Sequence, residues 1–264
     1  MIERNIVYAP EHGERGQLDL YLPDGAARTE GPSCPMVIVI HGGGLQALSK
    51  ERMDGVSTFV AEQGWGAVNV NYRLLPDHPF PAQLQDVLRV YRWVQETDRK
   101  EVRCQDRTHI ALLGASAGGY LAMMAGLILG PERVRSIVSI SGPSLHSYFA
   151  EGLSPAEDVD PRMLSAPIEL VRPGAPPLLA THSCRDTVVG VEHSIAMVRR
   201  MREAGCHADL YLYDGLNELH GIWRDDRPML RLFKHIEYVI AVFLRKTLQG
   251  VRVSMQDTRG HTRT

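Results

Sequence analysis

The sequence lacks an excess of charge of either sign, and it lacks any long apolar run. Lysine and arginine total 29 against 31 aspartate and glutamate residues, which gives a formal net charge of −2. This balance gives no electrostatic reason to expect nucleic acid or an anionic membrane as a partner. No segment approaches the roughly 18 apolar residues of a membrane span, and the first residues have no apolar signal-peptide region. We therefore expect a cytoplasmic protein that binds a small molecule.

Cysteine is also scarce. Its four positions, 34, 104, 184 and 206, form no C-x-x-C pair and no disulfide-dense spacing, so we expect reduced thiols. His182 and Cys184 lie two residues apart, which is one way to begin a metal site. Alternate residues at the end of a buried strand are more often ordinary lining, and we predict neither a metal nor a cofactor.

Strand-like apolar runs alternate with amphipathic helical patterns, which is typical of a mostly parallel sheet with helices on both faces. The expected fold class is α/β, with a single domain over residues 1–250 and a mobile C-terminal tail over 251–264. Helix faces are predicted from Leu84 to Val94, around Val191, Ile195 and Val198, and from Leu232 to Phe243. The predicted strands are QLDLYLP (17–23), PMVIVIH (35–41), GAVNVNY (66–72), THIALLG (108–114), VRSIVSIS (134–141), PLLATHS (177–183) and ADLYLYD (208–214).

One serine lies where a buried strand changes into a helical pattern. Ser116, in IALLGASAGGYLA, is flanked at two residues' distance by Gly114 and Gly118, which gives the pattern G-x-S-x-G. Small flanking residues allow the strand and the helix to approach closely around a sharply turned serine whose hydroxyl stays exposed. The simpler alternative is a tight connection in which the serine only caps the helix.

A serine hydroxyl needs a base to accept its proton and a third group to orient that base. Functional loops leave the carboxyl ends of parallel strands, so the partners should follow later strands. Asp186 follows PLLATHS and His220 follows ADLYLYD, which gives the order serine, acid, histidine. Asp214, at the end of ADLYLYD, is the serious rival for the acid.

His220 is preferred among eleven histidines because it lies in a loop between the last strand and the last helix, before a glycine. His193 and His235 lie on helix faces that are otherwise polar, and we expect both at the surface. His41 and His182 follow or end strands and can lie near the site.

Attack on an ester also needs donors for the negative charge that develops on the carbonyl oxygen. The run HGGG, which starts at His41, follows an apolar strand, and its glycines permit close approach of the backbone. The amides of Gly42 and Gly43, together with that of Ala117, are the candidate oxyanion hole. The run lacks the lysine of a phosphate-binding loop.

Together these motifs resemble the serine carboxylesterases of the α/β-hydrolase fold. The similarity extends from residue 18 to about 248 through LDLYLP, HGGG, VNYRLLPDHPFPAQLQD, GASAGGYLA, HSCRDTVV and ELHG. It is greatest to hormone-sensitive-lipase-like enzymes, bacterial acetyl and feruloyl esterases, and kynurenine formamidases. The sequence departs from these enzymes at LQALSK after HGGG, at HSCRD before the acid, and at Ala115 before the serine. Within this family Tyr72, Arg73 and Asp86 are expected to be structural.

Three functions remain open on this basis. Hydrolysis of carboxylic esters through an acyl-serine is the leading hypothesis, and amide or formamide hydrolysis would use the same residues. A hydrolase-like binding protein without catalysis is the third, but such a protein would often lose part of the triad. No large cap is expected, so short acyl esters should be the best substrates, and Tyr148, Phe149 and Trp223 are candidate pocket walls.

Overall fold

The computed structural model describes residues 1–24, 34–103, 105–146, 159–214 and 227–250. Its centre is an eight-stranded sheet with the order β1-β2-β4-β3-β5-β6-β7-β8. The strands β1 and β2 are antiparallel to their neighbours, and all pairs from β4 through β8 are parallel. The strands are β1 (Ile2–Val7), β2 (Gln17–Tyr21), β3 (Pro35–Ile40), β4 (Gly66–Val70), β5 (Asp106–Ala115), β6 (Ser136–Ile140), β7 (Leu178–Ser183) and β8 (Ala208–Tyr213).

Helices cover both faces of this sheet. They are α1 (Asp54–Glu62), α2 (Ala82–Glu96), α3 (Lys100–Arg103), α4 (Ala117–Leu129), α5 (Glu192–Glu203) and α6 (Arg227–Gln249), and short 3₁₀ helices occupy Pro10–Gly16, Lys50–Met53, Pro161–Leu164 and Pro167–Leu170. The predicted α/β class with a mostly parallel sheet is therefore confirmed. No helix in the described ranges is long and apolar enough to cross a membrane.

The central strand β3 separates two hydrophobic cores. Ile38 and Ile40 point to the face covered by α2, α4 and α5, whereas Val37 and Val39 point to the face covered by α1 and α6. Successive side chains of a strand alternate between faces, so a strand covered on both faces needs a continuous apolar run. This requirement explains why PMVIVI was recognisable as a central strand.

All seven predicted strands are present, and the structure adds an eighth, β1, that the sequence did not reveal. Its sequence IERNIV buries only Ile6. An edge strand packed on one side needs few apolar residues, so β1 carries charged side chains and lacks the pattern of a buried strand. β1 is recognised as a strand only in the structure, from its antiparallel pairing with β2.

The predicted apolar face of α5 is wrong at Ile195, which is 43% exposed. The buried face instead includes His193, Ser194, Met197 and Val198. His193, expected at the surface, is buried because its Nδ1 accepts hydrogen bonds from the amides of Ser144 and Leu145 at 3.0 and 3.1 Å. Polar residues that are satisfied inside the protein break the apolar periodicity on which the expectation rested.

Candidate active site

Ser116 lies between the last residue of β5 and the first residue of α4. Its backbone has φ 54° and ψ −122°, and its amide donates to the carbonyl of Ile140 at 2.8 Å. An N-cap serine has extended backbone and accepts a hydrogen bond on its side chain, but Ser116 has neither property. It is partly exposed between buried neighbours. The capping alternative is therefore excluded, and Ser116 has a strained, sharply turned backbone and partial exposure, as the motif predicts.

The two glycines of the motif are required by close backbone contacts. A Cβ on Gly114 would lie 2.0 Å from the carbonyl oxygen of Gly118. A Cβ on Gly118 would lie 2.2 Å from the carbonyl oxygen of Ile40. Real Cβ atoms do not approach this closely, so β3, β5 and α4 can converge around Ser116 only when these side chains are absent.

The HGGG loop lies directly beside Ser116. A Cβ built on Gly42 would be 3.2 Å from the Cβ of Ser116, and Gly43 has φ 102°, which favours glycine. Within the described ranges, the amides of Gly42 and Gly43 donate to no protein acceptor. Ala117 is the first residue of α4, where an amide has no acceptor inside the helix. These properties suit an oxyanion hole, and the assignment of its three donors stays a prediction.

A buried pair of rings supports this loop from below. His41 stacks on Tyr72 with ring centroids 4.1 Å apart, and the Tyr72 hydroxyl donates to the carbonyls of His41 and Gly42 at 2.9 and 3.2 Å. The Nδ1 of His41 is 2.7 Å from the Gly42 carbonyl, so it is the protonated nitrogen of the ring. Burial lowers the pKa of His41 to about 4, which keeps the ring neutral. The sequence predicted neither this ring stack nor its hydrogen bonds to the HGGG loop.

Arg73 and Asp86, which are expected to be structural, form an ion pair near this loop. The guanidinium of Arg73 binds both carboxylate oxygens of Asp86, with an Nη2 to Oδ1 distance of 2.8 Å. Asp86 is almost fully buried and also accepts the amide of Arg73. The pair fixes the loop after β4 to α2.

Asp186 follows β7, and its carboxylate is held in a tight turn. Its Oδ1 accepts the amides of Val188 and Val189 at 2.9 and 3.0 Å, and its side chain is only 4% exposed. Its Oδ2 accepts no hydrogen bond from the part of the chain that the structure describes. The rival Asp214 is 69% exposed and pairs with Arg185. The geometry favours Asp186, whose second oxygen is available to an imidazole.

His182 has protein partners at both ring nitrogens, so it is not arranged as a metal ligand. Nδ1 lies 2.7 Å from the hydroxyl of Ser194, and Nε2 lies 2.8 Å from the carbonyl of Val189. Burial lowers the pKa of the imidazole. Among the described residues no group of three histidine, cysteine or acidic side chains is placed to hold a metal.

His220 and Trp223 lie outside the described residues, as do Tyr148 and Phe149, so the structure does not place them. Ser116 and Asp186 follow β5 and β7, which are separated by β6 alone. Neighbouring strands lie about 4.8 Å apart, so the two strand ends are roughly 10 Å apart. An imidazole between them would span this gap.

A cavity of about 540 Å³ lies elsewhere, between α2 and the end of α4, and Tyr91 and Ile128 contribute to its lining. Ile128 is twelve residues beyond Ser116. Because a helix rises about 1.5 Å per residue, Ile128 is some 18 Å from the serine. This cavity is not the candidate active site.

Comparisons with known proteins agree with this arrangement. The model of the BD-FAE family matches residues 18–147, which include the HGGG loop and Ser116. Esterase LipC of Mycobacterium tuberculosis is 29% identical in an alignment of 205 positions that covers 66% of this chain and 50% of LipC. The chain spans about half the length of the curated relatives it matches first.

Solved structures extend the similarity to almost the whole fold. Esterase B from Lactobacillus rhamnosis superposes with a TM-score of 0.74 at 20% identity, covering 95% of this chain and 88% of its own. An acetyl ester-xyloside bifunctional hydrolase from Caldicellulosiruptor lactoaceticus has a TM-score of 0.68 at 26% identity, covering 86% and 88%. The chain therefore has the α/β-hydrolase fold, carries a BD-FAE family match over residues 18–147, and has esterases as its relatives.

Proposed function

We propose that this chain is a serine carboxylesterase with Ser116 as its nucleophile. The proposal rests on Ser116 itself, at the junction of β5 and α4. This residue is partly exposed, its backbone is strained, and it lies beside Gly42. Such strain persists only where the surroundings enforce it, and it concentrates at functional sites. Curated relatives named as esterases support the same activity.

In the proposed mechanism the Oγ of Ser116 attacks the ester carbonyl while His220 accepts its proton. The amides of Gly42, Gly43 and Ala117 stabilise the tetrahedral oxyanion. The alcohol leaves with the proton from His220, and a water molecule activated by His220 then hydrolyses the acyl-serine to release the acid. Asp186 orients His220 and stabilises its protonated form.

We further propose that short acyl groups are preferred. The structure of Esterase B is described with a tributyrin phosphonate, and the Caldicellulosiruptor hydrolase is named for acetyl esters. A site without a large cap, open at its alcohol side and limited at its acyl side, would give additional acyl methylene groups little surface to contact, and only burial yields about 0.8 kcal/mol per methylene. The value of kcat/KM should therefore be highest for acetyl to butyryl esters.

The test compares kcat/KM across p-nitrophenyl esters from acetyl to decanoyl, together with a matched p-nitroanilide. We expect a maximum at short chains and much faster cleavage of the ester than of the anilide. A steady rise to decanoyl would contradict the chain-length proposal. Faster cleavage of the anilide would make the chain an amidase, and no turnover of any substrate would favour a binding protein.

A further inference from the structure

We propose that His182 is a positioning residue that holds Asp186 in the orientation needed to bind His220. The inference rests on the proposed function, because it concerns the acid of the same triad. His182 is the fifth of the six residues of β7 and is fully buried, and Asp186 follows four positions later. The imidazole is therefore shielded from solvent beside the acid.

The contacts of His182 form a continuous chain from α5 to the acid. The Val189 carbonyl can only accept, so Nε2 of His182 carries the proton and donates to it at 2.8 Å. In this neutral tautomer Nδ1 accepts the hydroxyl hydrogen of Ser194 at 2.7 Å. Each nitrogen thus has one partner, and these two partners fix the orientation of the ring.

Val189 connects His182 to the acid. Its carbonyl accepts from His182 while its amide donates to Oδ1 of Asp186 at 3.0 Å. The Nε2 of His182 also lies 3.6 Å from Oδ2 of Asp186, which is too long for a hydrogen bond but places the positive end of the N–H dipole near the carboxylate. Removing the imidazole would release Val189 and allow the carboxylate to rotate.

The effect should be seen in kcat, because His182 is buried and both of its ring nitrogens are bound to protein groups. Misplacing a catalytic group by about 1 Å can cost on the order of 100-fold in rate. We expect His182→Leu to lower kcat by about 10- to 100-fold and to change KM by less than about threefold. His182→Gln can still donate to Val189, so it should retain kcat within about fivefold of the wild type.

A double-mutant cycle separates positioning from a general structural role. In an Asp186→Asn background there is no carboxylate to position, so His182→Leu should reduce the residual kcat by less than about twofold. A merely structural defect would lower kcat by the same factor in both backgrounds. His207→Leu is the matched control, since this exposed histidine precedes β8 at its amino end, whereas Asp186 follows the carboxyl end of the neighbouring parallel strand β7, and the change should leave kcat unchanged.

Circular dichroism melts establish whether each variant folds. If His182→Leu does not fold, Ser194→Ala carries the same cycle, because it removes only the bond at Nδ1 and should lower kcat by about three- to tenfold in the wild-type background alone. Equal factors in both backgrounds, or unchanged kcat in folded His182→Leu, would overturn the inference. If the wild type hydrolyses no ester, the proposed function itself fails.

Discussion

The turn that carries Ser116 and the turn that carries Asp186 are held by different forces. Around Ser116 the backbone is fixed by steric exclusion, since Gly114 and Gly118 leave no room for a side chain. Around Asp186 the turn is fixed by hydrogen bonds, which pass from Ser194 through His182 and Val189 to the carboxylate. The turn at Ser116 therefore depends on the absence of side chains at Gly114 and Gly118. The turn at Asp186 depends on polar side chains that bind one another.

The difference has consequences for mutation. The sterically fixed turn at Ser116 tolerates no added side chain at its glycines, because even one methyl group must displace backbone atoms. The turn at Asp186 can be weakened in steps, because one hydrogen bond of the chain can be lost while the others remain. Each lost bond typically lowers stability by about 1 kcal/mol. Changes near Ser116 should thus affect folding or abolish activity, whereas changes near Asp186 should mainly lower the rate.

The largest effect is expected at the nucleophile itself. Ser116→Ala removes the attacking oxygen but adds no bulk, so the fold should persist while kcat falls by about 10⁴- to 10⁶-fold. Ester hydrolysis and thermal melting, measured on the same preparation, check both parts. Ordinary turnover by the folded variant would show that another residue is the nucleophile.

The next effect compares the two candidate acids. Asp186→Asn should lower kcat by about 10⁴-fold, because an amide favours the wrong tautomer of the neighbouring histidine. Asp214→Asn is the matched control, since this exposed residue pairs with Arg185 and should cost less than about threefold. The opposite order of kcat would assign the triad acid to Asp214.

The steric character of the serine turn is tested by Gly118→Ala. The new Cβ would lie 2.2 Å from the Ile40 carbonyl oxygen and 2.4 Å from that of His41, so we expect a loss of about 3 kcal/mol or more in the free energy of unfolding. Gly205→Ala is the control, because that position has φ 74° but open space, and should cost about 1–2 kcal/mol. Equal urea midpoints for the two variants would contradict the steric account.

The smallest effect concerns pH and the ring beneath the HGGG loop. The folded protein keeps His41 neutral with a pKa of about 4, whereas the unfolded chain protonates it below about pH 6.5. The unfolded state therefore binds more protons, and His41 should lower the free energy of unfolding by about 2 kcal/mol between pH 7 and pH 5. Burial lowers the pKa of His182 and His193 too, which acts in the same direction.

The variant His41→Asn isolates this contribution. Asparagine can still donate to the Gly42 carbonyl but does not titrate, so its free energy of unfolding should fall by about 2 kcal/mol less over the same pH range. Urea denaturation at pH 7 and at pH 5 measures both proteins. Identical decreases would mean that His41 is not held neutral by burial.

The sequence predicted the parts of the fold and site that follow from local pattern. Central strands need continuous apolar runs, and the turn at Ser116 needs glycines at fixed spacing, so both were recognisable. Strand β1 was not, because its pairing with β2 satisfies it without an apolar pattern. His193 was misplaced for a related reason, since the backbone amides of Ser144 and Leu145 satisfy its buried ring.

The side-chain contacts that hold the site in place also could not be predicted from the sequence. The stack of His41 on Tyr72 joins residues 31 positions apart, and the bond from His182 to Ser194 spans twelve. Contacts of this kind depend on which strand ends are neighbours in the folded sheet. A single sequence carries no local signal for that proximity, although HGGG and the strand-end position of His182 place both histidines near the predicted site.

Covalent labelling with an active-site reagent identifies the nucleophilic residue. The folded wild-type protein is incubated with a fluorophosphonate, digested and examined by mass spectrometry, with Ser116→Ala as the control. We expect one adduct per chain, located on Ser116, with loss of ester hydrolysis in proportion to labelling and no adduct in Ser116→Ala. A folded wild-type protein that hydrolyses esters but is labelled at another residue, or equally in Ser116→Ala, would contradict it.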